Sequence, residues 1–146
     1  MNFEYPVVLK RDDNETFLVT CPDIPELVTF GDDREDALRH AQNALITALE
    51  MYQDDRRDLP KPSAPKKGRP IVSPPPRVLL KASLYQAMRD AEISNVELAA
   101  RLGRDEKQIR RLLNFNVDSR VTEIARALEE VGLELTAQKP RKRAAA

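Results

Sequence analysis

Residues 94–113, SNVELAARLGRDEKQIRRLL, carry side chains that read nucleic acid at a spacing able to present them. Two helices crossing at a tight turn need a small residue at the crossing, a glycine in the turn and apolar residues beneath both helices. Ala99 is small and Gly103 follows four residues later. Leu98 and Leu102 anchor the first helix, and Ile109 and Leu112 the second. Glu106, Lys107, Gln108, Arg110 and Arg111 are left for the groove and its rim. Gln can pair with adenine and Arg with guanine through two hydrogen bonds each, while Lys and Arg also neutralise phosphates. The N-terminal part of a recognition helix meets base edges, so Lys107, Gln108 and Arg111 are expected to read bases. Arg101, Arg104, Arg110 and Asn114 are expected to touch the DNA backbone. Arg104 departs from the pattern, because that turn position is usually apolar. The competing reading is an ordinary helical hairpin with a solvated basic face; five matched positions within a basic all-helical stretch favour DNA.

Carboxylates dominate the other end of the chain. Asp12, Asp13, Glu15, Asp23, Glu26, Asp32 and Asp33 cluster near the expected strand ends. A nuclease of the RNase H type would need several carboxylates converging on Mg²⁺. Turn and helix-cap acids already serve the backbone, and Glu4 is the one acid inside an expected strand. His40, the sole histidine, falls on the polar side of a helix, and Cys21 alternates with core residues. There is no zinc spacing and no Gly-rich phosphate loop, so neither an enzyme nor a cofactor or metal is expected.

The zero net charge is a sum of opposites. Residues 1–58 hold 6 Lys/Arg against 14 Asp/Glu, and residues 59–146 hold 18 against 10. Such asymmetry points to two surfaces with different partners. The 146 residues suffice for one average domain or two very small ones, and small domains bury little of their surface, so self-association is expected. A single cysteine excludes an internal disulfide and suits a reducing compartment. With no apolar run of bilayer length and no signal peptide, a cytoplasmic location is expected.

The elements that must position these residues follow from periodicity. Phe3, Tyr5, Val7 and Leu9 alternate, residues 12–15 are turn chemistry, and Phe17, Val19 and Cys21 resume the alternation, which predicts a β-hairpin. A short third strand is predicted over 27–30. Asp32 and Glu35 make a capping-box pattern for a long helix whose stripe is Leu38, Ala41, Leu45, Ala48, Leu49 and Tyr52. Residues 1–58 thus read as an acidic β-β-β-α layer. In residues 59–77, 7 of 19 are proline, which predicts a semi-rigid linker with a short strand near 70–73. Four helices are predicted within 78–137: about 77–91, 95–102 capped by Ser94, 105–114, and one capped by Ser119 and stopped by Gly132. The last is expected to bury Val121, Ile124, Ala125, Leu128 and Val131, with a short strand at 133–136 suited to pairing with a second subunit. The basic tail, 138–146, is predicted to be disordered. The fold class is α+β: a small antiparallel sheet with one long helix, plus an all-α domain.

Taken together the chain resembles the HicB antitoxin family in its helix-turn-helix version. The likeness rests on Tyr5-Pro6-Val7, Pro22-Asp23-Ile24-Pro25, Gly31-Asp32 and Glu35-Asp36-Ala37-Leu38 in the first half. In the second half it rests on Lys81-Ala82-Ser83-Leu84-Tyr85, Glu97-Leu98-Ala99 and Gln108-Ile109-Arg110-Arg111-Leu112-Leu113. It covers about residues 3–137 in one order. Glu26 stands where the family usually has glycine. The resemblance implies a degenerate, partial RNase H-like domain that covers the active site of a small, basic, mRNA-cleaving HicA-type toxin. It also implies a C-terminal domain that represses the toxin–antitoxin operon by binding operator DNA as a homodimer or higher oligomer. Under it, the seven acids above become candidates for toxin contact, occupying a basic RNA-binding face as RNA would. A free-standing helix-turn-helix regulator with a ligand- or partner-sensing N-terminal domain is the alternative.

Overall fold

The alternating segment at the start of the chain makes two strands, and they belong to different sheets. In the computed structural model, which describes residues 2–139, β1 (Tyr5–Pro6) pairs antiparallel with β5 (Ile71–Val72). β2 (Val8–Arg11), β3 (Phe17–Cys21) and β4 (Ile24–Gly31) form an antiparallel sheet in the order β2-β3-β4. Pro6 has no N–H to donate, so the ladder cannot run on unbroken through it. Val7 follows and donates its N–H to the Pro70 carbonyl at 2.9 Å. The expected hairpin is β2–β3, closed by Asp12 N–H donating to Thr16 O (2.7 Å), with Glu15 in a left-handed conformation (φ 64°). β4 is longer than the predicted third strand, because Ile24 already pairs with Cys21 across an irregular step in register.

α1 (Arg34–Asp54) covers one face of the three-stranded sheet. Its N-cap is Asp33, whose carboxylate accepts from Asp36 N–H, rather than the expected Asp32. Asp32 instead donates its N–H to the Asp36 carboxylate at 2.9 Å. The buried stripe is Ala37, Ala41, Leu45, Ala48, Leu49 and Tyr52; Leu38 is only half-buried. It meets Val19, Cys21, Ile24 and Leu27 from the sheet, with Phe3, Tyr5 and Val7 also buried. Burial pushes the Cys21 thiol and the Tyr5 hydroxyl up from their ordinary pKa values.

Residues 59–77 are largely extended, as their prolines require, and they lie along this same unit. Leu59 and Val72 are buried, the Tyr5 hydroxyl donates to Pro60 O (2.7 Å), and Gln42 Nε2 donates to Ser73 O (3.0 Å). The chain divides into two compact units, the first ending at Leu79 and the second starting at Leu80.

The second unit is helical: α2 (Pro76–Asp90), α3 (Asn95–Leu102), α4 (Glu106–Leu113) and α5 (Val121–Glu130), the division falling within α2. Proline suits the first position of α2, where its missing N–H would have had no helical partner. The core joins Leu84, Met88, Leu98, Ala99, Ile109, Leu112, Leu113, Ile124, Ala127 and Leu128. Three expectations change here. Ser119 does not cap α5, because its hydroxyl is bound elsewhere; Arg120 is the N-cap and offers no side-chain bond. Val121 is exposed rather than buried, since it lies off the Ile124–Leu128 face. Residues 133–136 form no strand, there being no strand beside them among the described residues. The expected tail falls mostly outside the described residues.

Gly31 is packed too closely against α1 to carry a side chain. A Cβ there would lie 2.3 Å from Ala37 N and 2.6 Å from Ala37 Cα. Both are backbone atoms of α1 and cannot swing aside. Gly31→Ala is therefore expected to cost about 1–3 kcal/mol through overpacking, read as a lower denaturation midpoint of the full chain. An unchanged midpoint would mean that β4 and α1 do not close this tightly.

Candidate functional sites

Strand register decides which carboxylates meet. Arg11 opposes Phe17 and Phe17 opposes Gly31, so the β2–β3 loop and the β4–α1 junction occupy one end of the sheet. Asp12, Asp13, Glu15, Asp32 and Asp33 are gathered there, all exposed. Asp36, which sequence reasoning passed over, belongs to the same end. The Asp32 N–H, His40 and Arg39 together hold its carboxyl below the usual carboxylate range. Asp23 and Glu26 lie at the opposite end, beside the Cys21–Ile24 turn, and each has an internal partner. Asp23 accepts from Ser63 N–H (2.8 Å) and Oγ (3.0 Å), while Glu26 accepts from the Tyr52 hydroxyl (2.9 Å). Five of the seven candidate acids thus form one cluster and two do not.

The same register exposes an apolar surface. Val8, Thr20 and Val28 form one cross-strand row, and Lys10, Leu18 and Phe30 the next, on the face opposite Val19 and Gly31. Val28 is 58% exposed and Phe30 63%. Large apolar side chains adjoining on an open sheet face are typical of partner contact. β4 is moreover an edge strand, with no further strand beside it among the described residues. The signal in the sequence is the alternation within 27–30, which puts Val28 and Phe30 on the face opposite Leu27.

In the second unit α3 ends at Gly103, in a left-handed conformation (φ 64°, ψ 36°) that suits glycine. Arg104 N–H donates to Ala99 O (2.9 Å), and α4 starts after Asp105. Ala99, almost fully buried, lets the two helices approach. Ile109, Leu112 and Leu113 define the inner side of α4. Successive helical residues turn by about 100°, so Lys107, Arg111 and Asn114 lie farthest from that inner side. Arg110 and Glu106 fall on one flank and Gln108 on the other. Gln108, Arg111 and Arg104 border a cavity of about 340 Å³ that reaches the start of α5.

Several of the expected DNA-contacting side chains also have bonds within the unit. Gln108 completes a capping box: its N–H donates to Asp105 Oδ1 (2.8 Å) and its Oε1 accepts from Asp105 N–H (3.0 Å). Arg101 binds Glu97 (2.8 Å) and the Glu130 carbonyl (3.2 Å), which ties α3 to the end of α5. Arg104 faces Glu123 at 3.5 Å.

A buried cation holds the end of α4 in place. Lys81 of α2 is fully buried, and its ammonium donates to Ser119 Oγ (2.8 Å) and Arg111 O (3.2 Å). A buried charge is tolerable only when its donors are satisfied, and carbonyls at a helix C-terminus attract cations. Lys81 therefore anchors both the last turn of α4 and the loop beyond it. Nothing in local periodicity marks this position. Among the described residues, no group of three or more His, Cys, Asp or Glu could hold a metal, and no helix is long and apolar enough to cross a membrane.

The capping box makes a distinguishing prediction. Gln108→Ala should lower stability by about 0.5–1.5 kcal/mol, whereas Gln108→Glu, the usual residue at that position of the box, should not. Denaturation of the two full-length variants checks this, and equal stability of Gln108→Ala and the parent would show the box is not formed in solution.

Known proteins resemble this chain along most of its length. A family model described as "HicB_like antitoxin of bacterial toxin-antitoxin system" matches residues 4–83. The chain is 41% identical to Antitoxin HicB 2 of Photorhabdus laumondii subsp. laumondii, over 93% of this chain and 97% of that protein. It is 32% identical to Antitoxin HicB of Escherichia coli K12, over 90% of this chain and 96% of that protein. A crystal structure of the N-terminal domain of Burkholderia pseudomallei antitoxin HicB matches 48% of this chain and 95% of its own, at 23% identity and TM-score 0.42. With more than half of the chain matched by the family model and whole-length relatives above 30% identity, the chain belongs to the HicB-like antitoxin family, and it is an antitoxin of a bacterial toxin–antitoxin system rather than an enzyme.

Proposed function

We propose that the first unit neutralises a small basic HicA-type mRNA-cleaving toxin and that the second represses the shared operon by binding operator DNA. The observation that carries the first half is the convergence of Asp12, Asp13, Glu15, Asp32 and Asp33 at the end of a sheet whose open face shows Val28 and Phe30. A toxin that cleaves RNA must offer a basic surface. Carboxylates steer its approach, and the apolar face supplies the area that makes a complex last. We read the β2-β3-β4-α1 layer as a partial RNase H-like fold; three antiparallel strands followed by a covering helix support that reading.

For the second half, α3, Gly103 and α4 are read as a helix-turn-helix with α4 in the major groove. Lys107, Arg111 and Asn114 project away from the core, and base edges would be read from there. Repression would use a homodimer whose two α4 helices lie about 34–36 Å apart on a palindromic site. The two units could then engage a protein and a nucleic acid through surfaces of opposite charge.

Two variants separate the halves. Asp12→Lys/Asp13→Lys should slow association with the toxin encoded beside this gene, weaken the pull-down and abolish rescue of toxin-arrested growth, while operator binding survives. Arg111→Ala should cost about 1–3 kcal/mol of operator affinity and leave rescue intact. A chain that neither binds nor neutralises the adjacent toxin would end the first proposal, and operator affinity indifferent to Arg111→Ala would end the assignment of this face of α4.

A further inference from the structure

The cavity between α4 and the start of α5 contains basic residues that the recognition pattern did not single out. Arg120 and Arg126 join Arg104 and Arg111 on its wall, with Asp118 and Glu123 the acids there. Four guanidinium groups against two carboxylates leave it net positive. Glu123 is already turned to Arg104, at 3.5 Å. The Ser119 hydroxyl at the cavity is held by buried Lys81, so the loop that carries Arg120 is fixed to the core of the unit. α5 begins at this cavity without a side-chain cap, unlike α1, α3 and α4.

We propose that this cavity is a phosphate seat for the DNA backbone, in which Arg120 and Arg126 hold a phosphodiester beside the groove that α4 enters. The inference rests on the DNA-binding reading of α4 and adds a contact outside the recognition helix. Planar guanidinium forks match phosphate oxygens, as they match carboxylates, through paired N–H donors. A backbone phosphate is favoured over a free anion for two reasons. The arginines on the wall are exposed, so the site is an open concavity rather than an enclosed pocket. It also shares Arg111 with the proposed DNA-facing side of α4, so one ligand can span both. Glu123 then acts as a placeholder: it pairs with Arg104 in the free protein and would face the incoming phosphate in the complex.

The test uses the full chain with two duplexes, one from the promoter upstream of its own reading frame and one of scrambled sequence. Arg120→Ala/Arg126→Ala should weaken both by a similar factor and reduce the slope of log affinity against log salt by roughly one to two. Arg120→Lys/Arg126→Lys, which keeps the charge, should recover most of the slope. Glu123→Gln should bind both duplexes more tightly than the parent. An unchanged salt slope in the double alanine variant, or a loss confined to the promoter duplex, would overturn the proposal. So would saturable binding of inorganic phosphate at the Ser119–Glu123 amides, seen by NMR, with duplex affinity indifferent to the arginines; the seat would then belong to a free anion. If the unmodified chain bound neither duplex, the DNA reading of α4 would fail, and this seat with it. If it bound both and only the arginine variants behaved otherwise than stated, the seat alone would fail.

Discussion

The passage of β4 over the first turn of α1, at Gly31 and Ala37, governs how the first unit is built. Backbone meets backbone there with no room for a Cβ, so the long helix must start close under the sheet and run along one face of it. The Ala37–Tyr52 stripe is then aligned with Val19, Cys21 and Leu27, and the apolar core closes. One helix can cover only one face of a three-stranded sheet. The opposite face, with Val28 and Phe30, is left bare as a direct consequence, and so is the outer edge of β4. The surface available to a partner is thus the remainder of the folding problem, since a 60- to 80-residue unit has too little chain to cover it. The proline-rich segment adds to the same economy of material. It supplies Leu59 and Val72 to the core and a two-residue strand beside β1.

The second unit depends in a comparable way on one buried ammonium. Apolar packing of Ile109, Leu112 and Leu113 sets which side of α4 faces inward, but hydrophobic contact is not directional. Lys81 supplies direction. Its bonds to the carbonyl of Arg111 and to Ser119 fix the end of α4 and the loop toward α5, the two elements that border the basic cavity. The capping box of Asp105 and Gln108 fixes the other end of the same helix. Held at both termini, α4 presents its outward side chains from a fixed position.

Opposite charge on the two halves fits the proposed pairing of one half with a basic protein and of the other with a polyanion. The 14 acids of the first 58 residues and the 18 basic residues of the remainder would repel the wrong partner as well as attract the right one. Within each half, however, sign alone says little. Asp23 and Glu26 belong to the acidic half yet brace Ser63 and Tyr52, and Arg101 belongs to the basic half yet ties α3 to α5.

The sequence by itself determined the opposed charges, the long helix that follows the strands, and the succession of α3, Gly103 and α4. These rest on local physics: period-two and period-3.6 burial, a left-handed glycine, a capping side chain three residues from its N–H. It missed by one residue at Asp33 and failed at Ser119, because a side chain chooses its partner from everything within reach, and Lys81 lay within reach. Tertiary structure alone decided which acids converge. Asp12 and Asp32 are twenty residues apart in the chain and share one end of a sheet only because Phe17 pairs with both Arg11 and Gly31. It also decided that Val28 and Phe30 stay uncovered, that residues 59–77 lie along the first unit, and that Arg120 and Arg126 border the same cavity as α4. Each of these depends on pairing or packing between distant segments, and such contacts leave no periodic mark on the segments that make them.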